Sequence, residues 1–343
     1  VTDESTAMAR TLALPGMTEP RVDRLITLLA SRPMLILSGA RIARELGLSR
    51  QTVWRWVEKV RALGVHVRGH PGAGYRVEQA PDVLVPGLLR PRLRGTRFAR
   101  HIVHFFRTAS TNDAAFELGW RGAPEGTVVV AEEQTAGRGR TGRSWYSEKA
   151  TGIYTSILLR PPLPPARAPL LTLLAGLAVR DAIASLVDLP GLDLRWPNDV
   201  LVGPRKLAGI LTEMQAAADR IHFVVVGIGV NVNQSAFPPP LAGLATSLRL
   251  ETGRPWSRLE LLVRLLQYLE RDYNRFLSEG AEFVVERFRR LSSYARGRRV
   301  RIRSGQEEFT GTTAGLDPAG WLRVRREGGR IETVIAADVE AAD

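Results

Sequence analysis

Seven consecutive residues, Gly137-Arg-Gly-Arg-Thr-Gly-Arg143, contain three glycines and three arginines. Glycine lets a backbone turn through positive φ and come close to a ligand. Arginine presents a charged, planar fork of donors suited to phosphate or carboxylate. The segment follows Thr127–Glu132, a β-branched run after Gly126 that reads as a strand. The arginines therefore sit on a loop leaving a sheet, the usual place for ligand-binding residues. On composition alone this loop is either a ligand clamp or a solvated basic patch facing nucleic acid.

Other polar clusters surround it in sequence. Ser110-Thr-Asn-Asp113 is a helix start, with a helix expected over Asn112–Leu118. It is a plain cap, or else a helix N-terminus whose free hydroxyl and amide groups grip a polar ligand head. Trp196-Pro-Asn-Asp199 ends a short strand in a rigid polar turn. Arg205–Glu213, with Lys206 near its start, reads as a strand, and Phe223–Val226 as another that closes in Gly227-Ile-Gly-Val-Asn231. Neither a Rossmann fingerprint nor a Gly-Lys-Ser/Thr phosphate loop is present. His66 and His70 lack the companions of a metal site.

The elements that must position these residues are legible by period and punctuation. Residues 1–19 read as a flexible tail. In residues 20–79, Val22, Leu25, Ile26 and Leu29 mark a helix, Ser38 caps a second, and Gly47 breaks it. Ser49 caps a third helix with Val53, Val57 and Val60 on one face. A glycine-tipped hairpin follows. This is a winged helix-turn-helix, and Arg50, Gln51, Thr52 and Arg55 are its candidate DNA contacts; Trp54 is either near them or a packing residue between domains. Residues 80–97 read as a proline-punctuated linker, 98–290 as a central α/β domain, and 291–343 as short strands of a small barrel. Gly152–Leu159 is expected as an alternating strand, Leu170–Leu186 as an apolar helix, and Arg258–Phe276 as a helix whose Arg264, Arg271 and Asp272 are solvated.

The 343 residues, 44% hydrophobic and 24% charged, describe a multidomain globular protein. A net charge of +13 favours polyanionic partners, nucleic acid or nucleotide. The absence of cysteine excludes disulfides, thiolate catalysis and cysteine metal sites. No apolar run reaches the roughly 18 residues of a membrane span, and no secretory signal is apparent, so a cytoplasmic protein without a membrane partner is expected.

Taken in order, Ser-Thr-Asn, Gly-Arg-Gly-Arg-x-Gly-Arg-x-Trp, Trp-Pro-Asn-Asp, Arg-Lys-Leu-Ala-Gly-Ile-Leu and Gly-Ile-Gly-x-Asn-x-Asn resemble the biotin protein ligase family, specifically its bifunctional members that also repress the biotin operon. The related lipoate ligases lack the Gly-Arg-Gly-Arg loop. The resemblance spans roughly residues 20–338. It implies an α+β multidomain protein: a winged helix-turn-helix, a mixed sheet flanked by helices in the manner of class II aminoacyl-tRNA synthetases, and an SH3-like barrel. It implies a two-step reaction in which ATP and biotin give biotinyl-5′-AMP, and a lysine of the biotin carboxyl carrier protein of acetyl-CoA carboxylase then takes the biotinyl group.

By motif match, Ser110, Thr111, Asn112, Gln134, Gly137, Arg138, Gly139, Arg140, Lys206 and Gly209 would bind biotin. Arg138, Arg140, Arg143, Trp145, Asn198, Lys206, Gly229 and Asn231 would hold ATP or the adenylate, and Gly227 would complete the wall. Arg138, Arg140, Lys206 and Asp199 would serve the chemistry, Asp199 by orienting groups or by holding Mg²⁺. The ion would otherwise be carried by the phosphates, with no dedicated protein metal site. The implied partners are operator DNA and a second copy, in a homodimer promoted by the adenylate. Two alternatives stay open: a DNA-binding biotin sensor with little ligase activity, and a ligase whose N-terminal domain no longer binds a specific operator.

Overall fold

The computed structural model describes residues 12–77, 81–305 and 307–342. Helices α1 (Pro20–Ala30), α2 (Gly39–Leu46) and α3 (Arg50–Ala62) begin the chain's regular structure. Ser38 and Ser49 accept from the backbone N–H three residues on, at 3.2 and 3.1 Å, as N-caps do. Gly47 takes the left-handed conformation, φ 64°, that turns α2 into α3. Val53, Val57 and Val60 bury one face of α3. Strands β1 (Val67–His70) and β2 (Gly74–Val77) form the wing, and Leu37 adds a bridge to Tyr75.

The central sheet has seven strands in the order β3-β4-β5-β9-β8-β7-β6. These are β3 (Ile102–Phe105), β4 (Thr127–Ala131), β5 (Gly152–Leu159), β6 (Leu192–Arg195), β7 (Asp199–Val202), β8 (Arg205–Ala216) and β9 (Ile221–Asn231). Only β3 and β4 are parallel, so the sheet is mixed. Helix α5 (Thr111–Trp120) packs on one face, with Ala115 and Leu118 against Val129, Leu158 and Val225. Helices α6 (Pro169–Ala184) and α8 (Arg258–Glu279) cover the other. Both faces of β5 are buried, so its residues alternate between two cores and not between core and water. Between these lie the short helices α4 (Pro86–Leu89) and α7 (Leu248–Thr252), and α9 (Glu282–Leu291) follows α8.

Three expectations are corrected by this packing. Residues 1–11 of the expected tail lie outside the described residues, but Leu12 and Leu14 are buried and Met17 bridges Phe105 on the β3 edge. Residues 81–97 of the expected linker are packed, with Leu84, Val85, Leu89 and Leu93 buried. Asp272 is not solvated; it is buried and accepts from Arg271 and Arg287 at 2.7 and 2.8 Å. Charges that satisfy each other across α6, α8 and α9 leave no local pattern in the sequence.

One ionic node ties the linker to the sheet. Buried Arg258 donates to Glu132 at 2.7 Å and to Asp82 at 3.1 Å. Glu132 also accepts from Leu84 N at 2.7 Å and lies 3.1 Å from His104 Nε2, whose Nδ1 meets the Thr18 hydroxyl at 2.7 Å. Each charge is paired and each carboxylate oxygen is occupied, as burial requires.

The C-terminal sheet is antiparallel, five strands in the order β13-β12-β11-β10-β14. Its strands are β10 (Arg296–Ser304), β11 (Glu307–Leu316), β12 (Leu322–Arg326), β13 (Ile331–Val334) and β14 (Asp338–Ala341). The last was not expected from sequence. Trp196 Nε1 donates to Gly320 O at 2.9 Å, so this residue fastens the C-terminal sheet to the turn before β7. No helix among the described residues is long and apolar enough to cross a membrane.

Candidate active site

The site begins with a change of residue size along β9. On the face under α5, alternate positions are Phe223, Val225, Gly227 and Gly229. The first two fill the core and the glycines leave a hollow. Cross-strand pairing widens it: Gly229 lies between Tyr154 and Gly209, and Gly227 between Ser156 and Leu211. The glycines thus belong to a continuous strand, which runs on to Asn231 and does not end at Val226 as the sequence suggested. Their role is close approach. A Cβ on Gly227 would run into the Asn112 carboxamide, and one on Gly229 would stand 2.5 Å from Trp145 Nε1.

The N-terminus of α5 points over this floor. Ser110 is the N-cap, and Thr111 donates through N and Oγ1 to Gln134 Oε1 at 2.8 and 3.1 Å. Gln134 Nε2 donates to Ser147 at 2.9 Å. Ser156 Oγ lies 2.8 Å from Thr111 Oγ1 and 2.6 Å from Asn112 Oδ1. Asn112 Nδ2 donates to Glu213 at 2.8 Å. The inner end is therefore a net of hydroxyls and carboxamides, suited to a neutral ligand with several donors and acceptors. Ser156, Ser147 and Glu213 were missed from sequence. The alternation of β5 around Ser156 was the available signal, but it needs the register with Gly227 to become a site.

The arginine segment folds over the hollow as a hairpin. Trp145 N donates to Gly137 O at 2.8 Å and Gly139 N to Arg143 O at 2.6 Å, with Thr141 at φ 54° in the tip. Gly137 sits at the base, where a Cβ would meet Trp145 O and Ser147 Oγ. Arg138 borders the hollow, but its donors are taken by carboxylates. It grips Glu213 with both nitrogens, at 2.9 and 2.7 Å, and Asp113 at 2.6 Å. Partial burial lowers its proton affinity, and the two carboxylates more than reverse this, so its pKa is raised. Arg140 donates to Asn198 at 3.1 Å, and burial, only partly offset by Asp338 and Asp199, lowers its pKa. Arg143 turns outward and pairs with Asp338 of β14.

Beneath the hairpin, Lys206 Nζ lies 2.6 Å from Asp199 Oδ1 and 5.4 Å from the centre of the Trp145 indole. Arg195 takes the other Asp199 oxygen at 2.6 Å. Burial alone would raise the Asp199 carboxyl; Lys206 and Arg195 outweigh it and hold the group below its ordinary range. With both oxygens committed to cations, Asp199 fits a positioning role better than that of a metal ligand. Asn231 is likewise committed, donating to Thr246 O at 3.0 Å and so holding the segment that pairs with Lys206.

Ser110, Thr111, Asn112, Gln134, Arg138, Gly139, Arg140, Trp145, Asn198, Lys206, Gly209, Gly227 and Gly229 line one inner cavity of about 50 Å³. An adjoining outer cavity of about 420 Å³ runs between the hairpin, Asp199, Asn231 and residues 337–340, and includes Arg143. Lys206, Arg140, Trp145 and Asn198 border both. The inner space is small because the Trp145 ring packs down on Gly209 and Gly229. Trp145 Nε1 is buried there without a hydrogen-bond partner among the described residues, a donor left over for a ligand.

Arg50, Gln51 and Arg55 are not part of this site; they are exposed on α3, with Thr52 half-buried beside them. Trp54 stands among them 56% exposed, so it is not the interdomain packing residue that the sequence left open.

Comparison with known proteins bears on both regions. The biotin/lipoate A/B protein ligase family model matches residues 105–231, a helix-turn-helix model residues 21–76, and the biotin protein ligase C-terminal domain residues 296–341. The bifunctional ligase/repressor BirA of Bacillus subtilis is 37% identical over 92% of this chain and 97% of its own. The chain belongs to the biotin protein ligase family. The biotin–[acetyl-CoA-carboxylase] ligase of Mycobacterium tuberculosis is 37% identical over 68% of this chain and 86% of its own. Among solved structures, the biotin protein ligase of Aquifex aeolicus in complex with biotin and ATP superposes with a TM-score of 0.62, at 29% identity, covering 71% of this chain and all of that one. The helix-turn-helix, the mixed-sheet ligase domain and the C-terminal all-β domain are thus those of the family.

Proposed function

We propose that this protein is an ATP-dependent biotin protein ligase that also acts as a biotin-responsive repressor through its N-terminal domain. The observation that carries the reading is the meeting of two cavities at Lys206, beneath a hairpin of glycine and arginine. Biotin fits the inner one, its neutral ureido head among Thr111, Gln134, Asn112 and Ser156 and its carboxylate toward Lys206. ATP fits the outer one, with its α-phosphate at the border. The carboxylate oxygen forms a bond to the α-phosphorus, the bond to the bridging oxygen breaks, and pyrophosphate leaves. Two anions must meet in this step, and Lys206 and Arg140 offset their repulsion. The carrier lysine, as its free amine, then attacks the acyl carbon; AMP leaves and the amine loses a proton.

Mg²⁺ suits the triphosphate and would neutralise charge on the leaving pyrophosphate. It fits as an ion brought in by the nucleotide: among the described residues no three His, Asp or Glu side chains converge, and Asp199 is already paired. The C-terminal strands suit a small SH3-like barrel, and the antiparallel core of the central sheet suits the class II synthetase plan. We set the domain boundaries at 20–79, 98–290 and 291–343. An adenylate that orders the hairpin and so favours a homodimer would present two copies of α3 to a palindromic operator. ATP and a carboxylase carrier domain as substrates go with a cytoplasmic protein. The test is transfer of labelled biotin to a purified carrier domain, with a footprint on the upstream region of a biotin operon. Transfer without a specific footprint would leave a ligase only; a footprint without transfer would leave a biotin sensor.

Arg138→Ala removes the contacts to Glu213 and Asp113, part of what tethers the hairpin beside Arg143–Asp338. The adenylate then meets water more often. The variant is expected to release or hydrolyse biotinyl-5′-AMP at least about tenfold faster, a difference of 1.4 kcal/mol, while keeping its fold. Adenylate retention equal to the parent would count against the latch. Gly229→Ala places a methyl against the Trp145 indole and should raise the KM for ATP by about tenfold or more, with less effect on unfolding. An unchanged KM would mean that the indole yields without consequence.

A further inference from the structure

One groove on the C-terminal sheet carries charge that no carboxylate among the described residues answers. Along β12, Leu322 and Val324 are buried and Arg323 and Arg325 point out. Thr312 stands opposite Arg325 on β11 and Ala314 opposite Arg296 on β10. Arg289 reaches the same place from the last turn of α9. Arg289, Arg296, Arg323 and Arg325 line a groove of about 430 Å³ with threonine, alanine and glycine, and no carboxylate borders it. None of the four is in an ion pair among the described residues, whereas other arginines of the same sheet are. Arg299 pairs with Glu327, Arg303 with Glu308, and Arg326 with Glu332.

Like charges gathered without counter-charge destabilise the folded chain, so such a groove is best explained by an anion that occupies it. A second cleft shares Arg289 and Arg296 and continues past Arg290 between α8 and α9, but there Arg271, Arg275 and Arg287 are paired with acids and Asp272 and Glu286 join the lining, so the unanswered charge is that of the four-arginine groove. Four arginines without counter-charge in one groove suit several phosphates better than a single one. Arginine and threonine are the side chains that contact phosphate oxygens. No aromatic ring borders the four-arginine groove, so it offers nothing for an unpaired base to stack on. We infer that this groove binds the phosphate backbone of duplex nucleic acid, as an electrostatic contact separate from the winged helix.

The test uses the full chain and a duplex of about 30 base pairs without operator sequence, followed by fluorescence anisotropy between about 50 and 200 mM salt. The R289Q/R323Q/R325Q variant is compared with an R50Q/R55Q variant and with the parent, after thermal melts establish that all three fold alike. Loss of one phosphate contact reduces the slope of log affinity against log salt by about 0.9. The triple variant is expected to bind at least tenfold more weakly with a shallower slope, while forming biotinyl-adenylate like the parent. If affinity and slope fall only in R50Q/R55Q, the winged helix is the sole contact and the inference is wrong. If they fall only in the triple variant, the groove stands and the winged-helix reading is the one that fails. An unchanged duplex affinity with a raised KM for the carrier domain would make the groove a dock for an acidic protein, which also overturns the inference.

Discussion

Lys206→Ala is expected to lower biotinyl transfer by about two to three orders of magnitude, the usual effect of removing one preorganised donor from a developing anion. Lys206 is placed for this by its surroundings. Its backbone is clamped by Leu244 O and Thr246 N, at 2.8 and 2.9 Å, so the strand cannot slide. Its ammonium is held 2.6 Å from Asp199, under the Trp145 indole and at the border of the two cavities. Alanine removes the cation and leaves Asp199 with Arg195 alone, adding negative potential where two anions must approach. The loss should fall on single-turnover adenylate formation more than on biotin affinity. Lys206→Arg should recover only part of it, since a planar fork does not replace a compact charge at one point. Transfer within about threefold of the parent, well inside the range ascribed to such donors, would remove Lys206 from the chemistry.

Arg258→Met is the corresponding prediction for stability. It fills much of the same volume but leaves buried Glu132 without its arginine and half-buried Asp82 without its pair. Removing one partner of a buried pair costs about 3–5 kcal/mol, a melting temperature lower by roughly 10 °C for a chain of this size. Acid should separate the two proteins. Burial pushes the Glu132 carboxyl up, but Arg258, His104 and the Leu84 N–H outweigh it and bring it from 4.5 to about 2. A folded value below the unfolded one gives stability that is complete above about pH 4.5 and is lost as pH falls toward 2. A shift of that size is worth on the order of 3 kcal/mol. The parent should therefore lose stability over that range, and Arg258→Met should lose much less because its Glu132 has no cation to protect. Equal acid sensitivity in the two would contradict the assignment.

The parts of this protein that announce themselves in the sequence are those held by near neighbours. Ser38, Gly47 and Ser49 mark the helix-turn-helix because caps and left-handed glycines act within three or four residues. Composition left the glycine–arginine segment open between a clamp and a basic patch, and it was the ordered motifs that pointed to a clamp; most residues matched to those motifs line one cavity. What was hidden depends on contacts across the chain. Gly227 and Gly229 become a site only through their cross-strand neighbours, Ser156 and Leu211 for the first and Tyr154 and Gly209 for the second. Arg138 is drawn aside by Glu213, a partner 75 positions away. Leu12 and Leu14 are too few to show a period, yet they bury against the sheet. The β14 strand is four residues long, and its Asp338 touches Arg143 only because the C-terminal sheet folds back on the hairpin.

The node around Arg258 has a consequence for the order in which this chain assembles. Its bonds close loops of 126 residues to Glu132 and 176 to Asp82. Neither bond can form usefully until the sheet and α8 have met, because the entropy of closing such loops must first be offset by packing. The node is therefore a late event. Interactions absent from the folding transition state leave the folding rate alone and slow the reverse step. Arg258 works as a lock set after closure, and weakening it should shorten the lifetime of the native chain without delaying its formation.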